Sequence, residues 1–242
     1  NGTHRQPLLP LPYHPLPAEG GAVVLTRSSG SVLKLGKLSF SAGGNTIIDS
    51  IDLDIERGEF VGLIGPNGAG KTSRLKLILG LYKVDKGSID LNGRDLNTYP
   101  PRERAAAMAY LSQSAGTSFS FPVLDVVAMG RYPFLKRFKS EGHSDIEEAR
   151  RALAYVGLAG FEERHFTELS SGEQQLVLFA QVLVQNTGII LLDEPTSNLD
   201  IKHRDLLFSM TEELAREKRA IIASVHNLNA ASQYCSRLVL LS

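Results

Sequence analysis

The sequence predicts an α/β fold with a largely parallel sheet and a helical insertion near the middle of the chain. Three observations support this prediction. Short apolar runs alternate with segments of helical periodicity. A glycine-rich loop at residues 65–70 joins a predicted strand to a predicted helix, and the stretch from about 114 to 188 is loop-rich and then mainly helical. Alternation of strands and helices is typical of parallel sheets.

Composition is that of an ordinary globular chain and argues against several classes of protein. The 242 residues suffice for one large domain or for one core with an inserted subdomain. The 26 Lys and Arg balance the 26 Asp and Glu, so no overall charge favours nucleic acid. Apolar runs such as residues 189–192 are too short to span a bilayer. The single cysteine, Cys235, excludes an internal disulfide framework.

The two ends of the sequence differ in character. Residues 1–30 are rich in proline and lack periodicity, which predicts an extended or disordered leader. A plain tail is the simpler interpretation of this leader, and a docking arm for a partner is the alternative. The apolar run at 238–241 predicts a strand, and we expect native residues to follow Ser242. The folded domain is expected at 31–242, with its core at 31–112 and 189–242 and a helical subdomain at about 113–188.

The first half of the predicted domain is dominated by strand patterns. A β-like run from Val32 to Phe40, a Gly-Gly-Asn turn at 43–45 and a second run at 47–55 come first. The next elements are a short apolar strand at 60–64, a helix at 71–79 that ends at Gly80, and a strand at 88–91 before the hairpin signal Asn92-Gly93.

The second half predicts helices and buried strands. Helical segments are expected at 124–129, 145–156 and 170–184, and an amphipathic helix at 200–218. Apolar strands are expected at 189–192, 220–225 and 238–241. This order places the helical insertion between strands of one sheet.

The glycine-rich loop matches the P-loop template in the expected context of a strand before it and a helix after it. Glycines allow backbone amides to surround a β-phosphate, Lys71 adds charge toward the β and γ phosphates, and the Thr72 hydroxyl can bind Mg²⁺. A plain glycine-rich turn leaves Lys71 unexplained. The predicted ATP-binding residues of this loop are Gly65, Pro66, Asn67, Gly68, Ala69, Gly70, Lys71, Thr72 and Ser73.

Two adjacent carboxylates, Asp193 and Glu194, follow the apolar strand at 189–192. A buried strand would carry Asp193 to the edge of the sheet beside the P-loop, where it can hold Mg²⁺ through water. Glu194 points elsewhere and could act as general base on an attacking water. The alternative is that one of the two caps the turn before Pro195.

A second phosphate-binding element is formed by Leu169, Ser170, Ser171, Gly172 and Glu173. A Ser-Ser-Gly turn that opens an apolar helix presents backbone N–H groups suited to a phosphate. One chain folds around one nucleotide at its P-loop. The second element therefore predicts a nucleotide held by a second copy, and hence a dimeric ATP-driven switch.

These motifs occur in a specific order with Gln113, the Ser197-to-Asp200 segment and His226. Together they closely resemble the nucleotide-binding subunit of an ATP-binding-cassette (ABC) transporter over about residues 32–242. The resemblance implies a RecA-like P-loop NTPase core with an antiparallel β subdomain and an inserted α-helical subdomain. It also implies ATP and Mg²⁺ as cofactors, with Thr72, Gln113 and Asp193 at the metal.

The resemblance implies further roles at individual positions. Gln113 would sense the γ-phosphate and Mg²⁺, and His226 would hydrogen-bond the γ-phosphate or the attacking water. Ser170, Gly172 and neighbouring amides would clasp the γ-phosphate bound to the opposite subunit. Asp200 would communicate across the dimer. Taken alone, Gln113 is an ordinary loop amide, His226 a near-core histidine and Asp200 a helix N-cap.

The chain departs from the family pattern in three places. Ser171 replaces a glycine of the second phosphate element, which removes backbone freedom. Gln174 and Leu176 stand where arginines are frequent, which removes two charges from that surface. Ala42 stands where an aromatic residue stacks on adenine, and Phe40 is the expected substitute.

Two segments indicate a type of transporter. Residues 130–134 and 230–235 resemble importers of iron siderophores, haem and cobalamin, including ferric hydroxamate importer ATPases. This resemblance implies transmembrane permease subunits and, indirectly, a substrate-binding protein as partners, no nucleic acid, and a peripheral position on the cytoplasmic face of the cell (inner) membrane. The alternatives are a soluble non-transport ABC ATPase and a weakly hydrolysing regulatory nucleotide-binding module.

A basic cluster lies within the predicted helical subdomain. It faces either a permease or lipid head groups, or else belongs to a solvated loop, and the sequence leaves these alternatives open. The cluster comprises Arg131, Lys136, Arg137 and Lys139.

Overall fold

The structure, a computed structural model, describes residues 31–113, 120–135, 142–197 and 199–241. The predicted leader at 1–30 lies outside the described residues, as do Lys136, Arg137 and Lys139 of the basic cluster. Two sheets and a group of helices organise the described chain, as the sequence predicts.

The smaller sheet is antiparallel. Its strands are β1 (Ser31–Ala42), β2 (Asn45–Glu56), β4 (Lys86–Leu91) and β5 (Arg94–Asp95), in the order β2-β1-β4-β5. Both predicted turns are present: Gly43 and Gly44 link β1 to β2, and Asn92 and Gly93 link β4 to β5. All four turn residues have positive φ, which is the geometry that two-residue hairpins require and glycine supplies without strain.

The larger sheet is parallel throughout. It consists of β3 (Phe60–Ile64), β6 (Met108–Leu111), β7 (Ile189–Asp193), β8 (Ala220–Ser224) and β9 (Arg237–Leu240), in the order β6-β7-β8-β3-β9. Every residue of β7 and β8 is buried, which explains why these strands are continuous apolar runs and do not alternate. Because the strands are parallel, their carboxyl ends meet at one edge.

Seven α-helices complete the described chain. They are α1 (Lys71–Ile78), α2 (Pro101–Ala107), α3 (Val123–Ala128), α4 (His143–Tyr155), α5 (Ser171–Val184), α6 (Ile201–Arg216) and α7 (Leu228–Tyr234). Short 3-10 helices occur at Leu96–Thr98, Met129–Phe134 and Phe166–Glu168. The periodicity of the sequence does not predict α2, β6 or α7, each of which is seven residues or shorter.

The helices between β6 and β7 form the predicted insertion. Helices α3, α4 and α5 pack against one another around the fully buried side chains of Val127, Leu153 and Phe179. Alternate residues of β7 face opposite sides of the parallel sheet. Ile190 and Leu192 belong to the apolar core shared with the helices, and Ile189 and Leu191 belong to the core shared with the antiparallel sheet. The parallel sheet therefore separates two apolar cores. The domain boundaries given above stay a prediction.

No helix in the described part of the chain is both long and apolar enough to cross a membrane.

Arg131 is part of an internal ion pair, which revises the interpretation of the basic cluster. Its Nε donates to Asp145 Oδ1 at 2.8 Å, its Nη1 donates to the Val184 carbonyl at 3.2 Å, and its guanidinium lies over the Phe134 ring. The two charged side chains are only 21% and 15% exposed. Arg131 therefore joins the start of α4 to the end of α5 and does not stand on a solvated loop.

This ion pair makes stability depend on pH. Burial raises the pKa of Asp145, but hydrogen bonds from Arg131 and the Gly142 amide and the charge of Arg131 outweigh it, so this pKa is lower than usual. A depressed pKa stabilises the folded state at pH values above the unfolded pKa. That stabilisation is lost as pH falls from about 4 through the folded value.

We expect Asp145→Asn to lower the free energy of unfolding by about 1–3 kcal/mol at pH 7, since it leaves the partly buried guanidinium of Arg131 without its anion. The deficit should shrink in urea unfolding at pH 3, where the parent carboxylate is also becoming protonated. Glu147→Gln is the matched control because Glu147 forms an exposed pair with Arg150 on the same helix. An equal loss of unfolding free energy at both pH values would contradict a stabilising ion pair between Asp145 and Arg131.

Candidate active site

Three strands of the parallel sheet end at one place. β3 leads into the loop at 65–70 and then into α1, β7 ends at Asp193 and is followed by Glu194, and β8 is followed two residues later by His226. The register pairs Asp193 with Ser224 on the neighbouring strand. The sheet topology thus brings together residues that lie more than 100 positions apart in the sequence.

The P-loop wraps the start of α1. Gly70 is the N-cap residue with φ 75°, and a Cβ there would lie 2.8 Å from Ile47 Cγ2, so both backbone conformation and close packing require glycine. Lys71 is 5% exposed, and its Nζ donates to the carbonyls of Gly65 at 2.7 Å and Pro66 at 3.0 Å. The ammonium is therefore held within the loop whose amides would bind phosphate.

Asp193 is buried, being 1% exposed, and its carboxylate accepts hydrogen bonds from three hydroxyl groups. Thr72 Oγ1 and Ser224 Oγ donate to Oδ1 at 3.0 and 2.8 Å, and the Tyr110 hydroxyl donates to Oδ2 at 3.1 Å. Burial, and then the charge and hydrogen bond of Asp193, raise the pKa of Tyr110 above its usual value, so the phenol stays protonated and donates. A buried carboxylate needs such partners.

The predicted catalytic residues converge on Glu194. Gln113 Nε2 donates to Glu194 Oε2 at 2.7 Å, and His226 Nε2 is in hydrogen-bond contact with Glu194 Oε1. Glu194 has φ 47°, a left-handed conformation that costs a non-glycine residue about 1–3 kcal/mol. Such strain directly after a buried strand is typical of functional sites.

A cavity of about 570 Å³ lies at this edge of the sheet. This volume is within the range of small-molecule sites. Ten residues line it, and all except Ile47 are predicted site residues. They are Ile47, Asn67, Gly68, Gly70, Lys71, Thr72, Ser73, Gln113, Glu194 and His226. Ile47, which no sequence motif marks, supplies the apolar part of this lining.

Phe40 is not among the described residues that line the cavity. Its ring stacks on that of Tyr82, with centroids 5.3 Å apart and planes inclined by 7°. In this conformation Phe40 packs within the protein and Ile47 occupies the apolar wall beside the P-loop. The role of Phe40 as a platform for adenine stays a prediction that this geometry does not favour.

The second phosphate element forms the capped N-terminus of α5. Ser170 Oγ accepts from the Glu173 amide at 3.3 Å, and Glu173 Oε2 accepts from the Ser170 hydroxyl and amide at 2.7 and 2.8 Å. The Ser170 hydroxyl and then its amide lower the pKa of Glu173. Among the described residues that line the cavity, none comes from 170–173. The chain thus presents this helix N-terminus away from its own P-loop cavity.

The structure explains how serine is accommodated at 171. Ser171 is the exposed first residue of α5, where φ is negative, so glycine is not required there. Gly172 also has negative φ, and a Cβ there would meet only ordinary contacts, Leu199 Cδ2 at 3.6 Å and His203 Nδ1 at 3.8 Å. Nothing described within the chain therefore demands glycine at 172.

The interpretation of Gln174 and Leu176 needs one correction. Leu176 is 2% exposed and belongs to the core between α5 and the sheet, so no charge is missing from a surface at that position. Gln174 Nε2 donates to the Phe166 carbonyl at 3.1 Å. Gln175, which is buried, donates to the Pro195 carbonyl at 3.1 Å and thereby ties α5 to the segment after Glu194.

Asp200 is the N-cap of α6. Its Oδ1 accepts from the His203 amide at 2.8 Å and contacts His203 Nδ1 at 2.9 Å. The amide hydrogen bond of His203 is the main cause that lowers the pKa of this exposed carboxyl. The capping role is thus observed, whereas communication with a second copy stays a prediction.

The P-loop lies between a parallel strand and a helix, Glu194 after β7 lines the same cavity, and Asp193 at the end of β7 accepts from the P-loop residue Thr72. This arrangement defines a nucleoside-triphosphatase of the P-loop class. Comparisons with known proteins identify the family. The family model described as ABC transporter matches residues 48–197, more than half of the chain. The chain belongs to the ABC transporter family and is an ATP-binding cassette with ATPase activity.

Individual relatives agree with this assignment. The hemin import ATP-binding protein HmuV of Rhodopseudomonas palustris is 40% identical over 224 residues, covering 87% of this chain and 79% of its own. The cobalamin import ATP-binding protein BtuD of Halobacterium salinarum is 37% identical over 206 residues, and the match covers 85% of this chain but only 51% of that relative.

Solved structures of the same family superpose well. A metal-chelate type ABC transporter in an inward-facing conformation matches with a TM-score of 0.77 and 28% identity, covering 88% of this chain and 80% of that one. A dimeric bacterial ABC transporter cassette matches with a TM-score of 0.76 and 26% identity, covering 86% and 94%. These structures have the α/β architecture found here.

Proposed function

We propose that this chain is the ATP-hydrolysing subunit of an ABC importer and that Glu194 is its general base. The observation that carries this proposal is the convergence of Gln113 and His226 on the Glu194 carboxylate beside the P-loop cavity. Glu194 has a strained backbone, and its carboxylate lies beside a phosphate-binding loop. Polar groups that contact such a carboxylate are suited to orienting a water for attack on phosphorus.

Different residues bind the nucleotide, accept the proton and orient the water. The P-loop amides and Lys71 bind the β and γ phosphates, which fixes the nucleotide for in-line attack. Glu194 accepts a proton from the attacking water at a carboxylate oxygen while the bond between the γ-phosphorus and the bridging oxygen breaks and ADP leaves. His226 Nε2 and Gln113 Nε2, both within reach of this carboxylate, orient the water and the γ-phosphate.

Mg²⁺ fits the donor set at this edge of the sheet. Thr72 offers a hydroxyl and Asp193 a carboxylate, and these groups are 3.0 Å apart. Gln113 can offer its amide oxygen because its nitrogen donates to Glu194. Oxygen ligands of this kind, together with phosphate oxygens, are what Mg²⁺ prefers. When bound with ATP, the ion would neutralise charge on the phosphates.

A second copy completes the site in this proposal. The capped turn of Ser170, Ser171, Gly172 and Glu173 is outside the described lining of its own cavity, yet it presents helix N-terminal amides suited to phosphate. A dimeric cassette is among the similar solved structures. Two chains would hold two ATP molecules, each between one P-loop and the partner's turn, with Asp200 near the contact.

The relatives support an importer. Their names assign import of hemin and of cobalamin, and one structural neighbour is of the metal-chelate type. We therefore assign the cargo to the class of haem, cobalamin and iron siderophores. The partners would be transmembrane permease subunits, which a substrate-binding protein supplies, and the chain would lie peripherally on the cytoplasmic face of the inner membrane. A soluble ABC ATPase or a weakly hydrolysing regulatory module is the alternative.

Co-expression with a permease from the same genome tests the transport role. We expect the two proteins to purify together, and proteoliposomes to accumulate one of haem, cobalamin or ferric siderophore in an ATP-dependent manner. Complexes with Lys71→Ala should assemble but not transport, because the P-loop loses its cation. Recovery of the ATPase without any permease, with hydrolysis unaffected by membranes, would instead support the soluble alternative.

A further inference from the structure

A buried hydroxyl lies between the two acidic residues of the site. Ser224 is the last residue of β8 and is fully buried. Its Oγ donates to Asp193 Oδ1 at 2.8 Å and accepts from the Glu194 backbone amide at 2.7 Å. One side chain therefore contacts both Asp193 and Glu194, on the strand next to theirs.

The chemistry of the three groups fixes the direction of both hydrogen bonds. An ionised carboxylate only accepts, and a backbone amide only donates. The Ser224 proton must therefore point to Asp193, and one of the two lone pairs of the hydroxyl oxygen accepts from the Glu194 amide. Because a hydroxyl is one donor and also an acceptor, it satisfies both neighbours at once, whereas an apolar side chain would satisfy neither.

Glu194 depends on this contact more than Asp193 does. Asp193 retains hydrogen bonds from Thr72 and Tyr110 when the Ser224 hydroxyl is removed. Glu194 leaves the strand in a left-handed conformation, with φ 47°, and its amide donates to Ser224. His226, two residues after Ser224, contacts the Glu194 carboxylate. The end of β8 thus holds Glu194 at both its backbone and its side chain.

We propose that Ser224 is a positioning residue for ATP hydrolysis: its hydroxyl fixes the backbone of Glu194 relative to Asp193 and so aims the general base. This inference rests on the proposed role of Glu194. Since Ser224 is buried beneath the cavity and is absent from its described lining, it acts through Glu194 and does not touch the nucleotide. Its loss should therefore affect turnover and spare binding.

Ser224→Ala in the full chain tests this role. We expect kcat for ATP to fall roughly ten- to a hundredfold, the rate factor that corresponds to the cost of leaving a buried amide without its acceptor, while the Kd for ATP and the KM change little. Ser236→Ala is the matched control, because Ser236 Oγ also accepts from a backbone amide, that of Phe60, but at the opposite end of β3. It should keep the parental kcat.

Two further variants separate positioning from a structural effect. Ser224→Thr retains the hydroxyl and should keep most of the parental kcat. In a Glu194→Gln background, Ser224→Ala should cause little additional loss, because the base that it positions is already gone. Any of three results would overturn the proposal. Ser224→Ala could keep the parental kcat, Ser224→Thr could be as slow as Ser224→Ala, or the losses in the double variant could be fully additive. If Glu194→Gln itself remained active, the role of Glu194 would fail first, and the two failures are thereby distinguished.

Discussion

Glu194→Gln should reduce ATP hydrolysis by about 10²–10⁴-fold, the usual contribution of a general base, while ATP binding persists. Glutamine keeps the shape of the side chain and an oxygen toward Gln113 or His226, but it cannot take a proton from water. Because the γ-phosphate then stays in place, ATP-bound dimers should accumulate. Single-turnover phosphate release and size-exclusion chromatography with ATP measure the two effects.

The matched control is Glu212→Gln. Glu212 lies on α6 and pairs with Arg216 one helical turn away. It is remote from the cavity lining, so its substitution should leave turnover and oligomeric state unchanged. Hydrolysis by Glu194→Gln at the parental rate would show that another group activates water. The absence of ATP-dependent dimers in that variant would contradict the holding of ATP between two chains.

Gly172→Asp should abolish hydrolysis and ATP-dependent dimerisation without weakening ATP binding by the single chain. The position tolerates a side chain within its own subunit, where a Cβ meets nothing closer than 3.6 Å. A carboxylate at the N-terminal turn of α5 would instead occupy the space offered to a partner's γ-phosphate and repel that anion. ATP binding, melting temperature and dimer formation can each be measured on the same sample.

Gly142→Asp provides the comparison for this variant. Gly142 also stands at a helix N-terminus with negative φ, and a Cβ there meets only ordinary contacts. Aspartate is a favoured N-cap residue, so this change should leave both hydrolysis and dimerisation intact. Loss of ATP binding or of folding in Gly172→Asp alone would mean that the glycine serves its own chain.

Much of the fold follows from local pattern. The two hairpins are marked by glycine and asparagine, and the buried strands β7 and β8 are continuous apolar runs. β6 has four residues and directly follows the alanines of α2, so no periodicity separates them. β6 becomes a strand because β7 offers an edge to pair with, which is a tertiary cause that the local sequence does not contain.

The site was predictable where a motif fixes chemistry and geometry together. The P-loop, Asp193, Glu194, Gln113 and His226 are brought together as their order predicts. Tyr110 and Ser224 were missed because each is a single hydroxyl at or near the end of an apolar strand, and only the packing of the sheet places it on Asp193. Leu176 was misjudged for a similar reason, since its burial depends on how α5 packs against the sheet.

The central claim is that each ATP site combines the P-loop of one chain with the Ser170-to-Glu173 turn of another. Mixing a Lys71→Ala chain with a Gly172→Asp chain tests it most directly. Each variant alone should be inactive, whereas every mixed dimer contains one intact composite site. Single-turnover hydrolysis should therefore return to roughly a quarter of the parental site number if the chains pair at random, and to about half if only mixed dimers form. No recovery on mixing, with both variants folded and mixed dimers detected, would contradict a site shared between two chains.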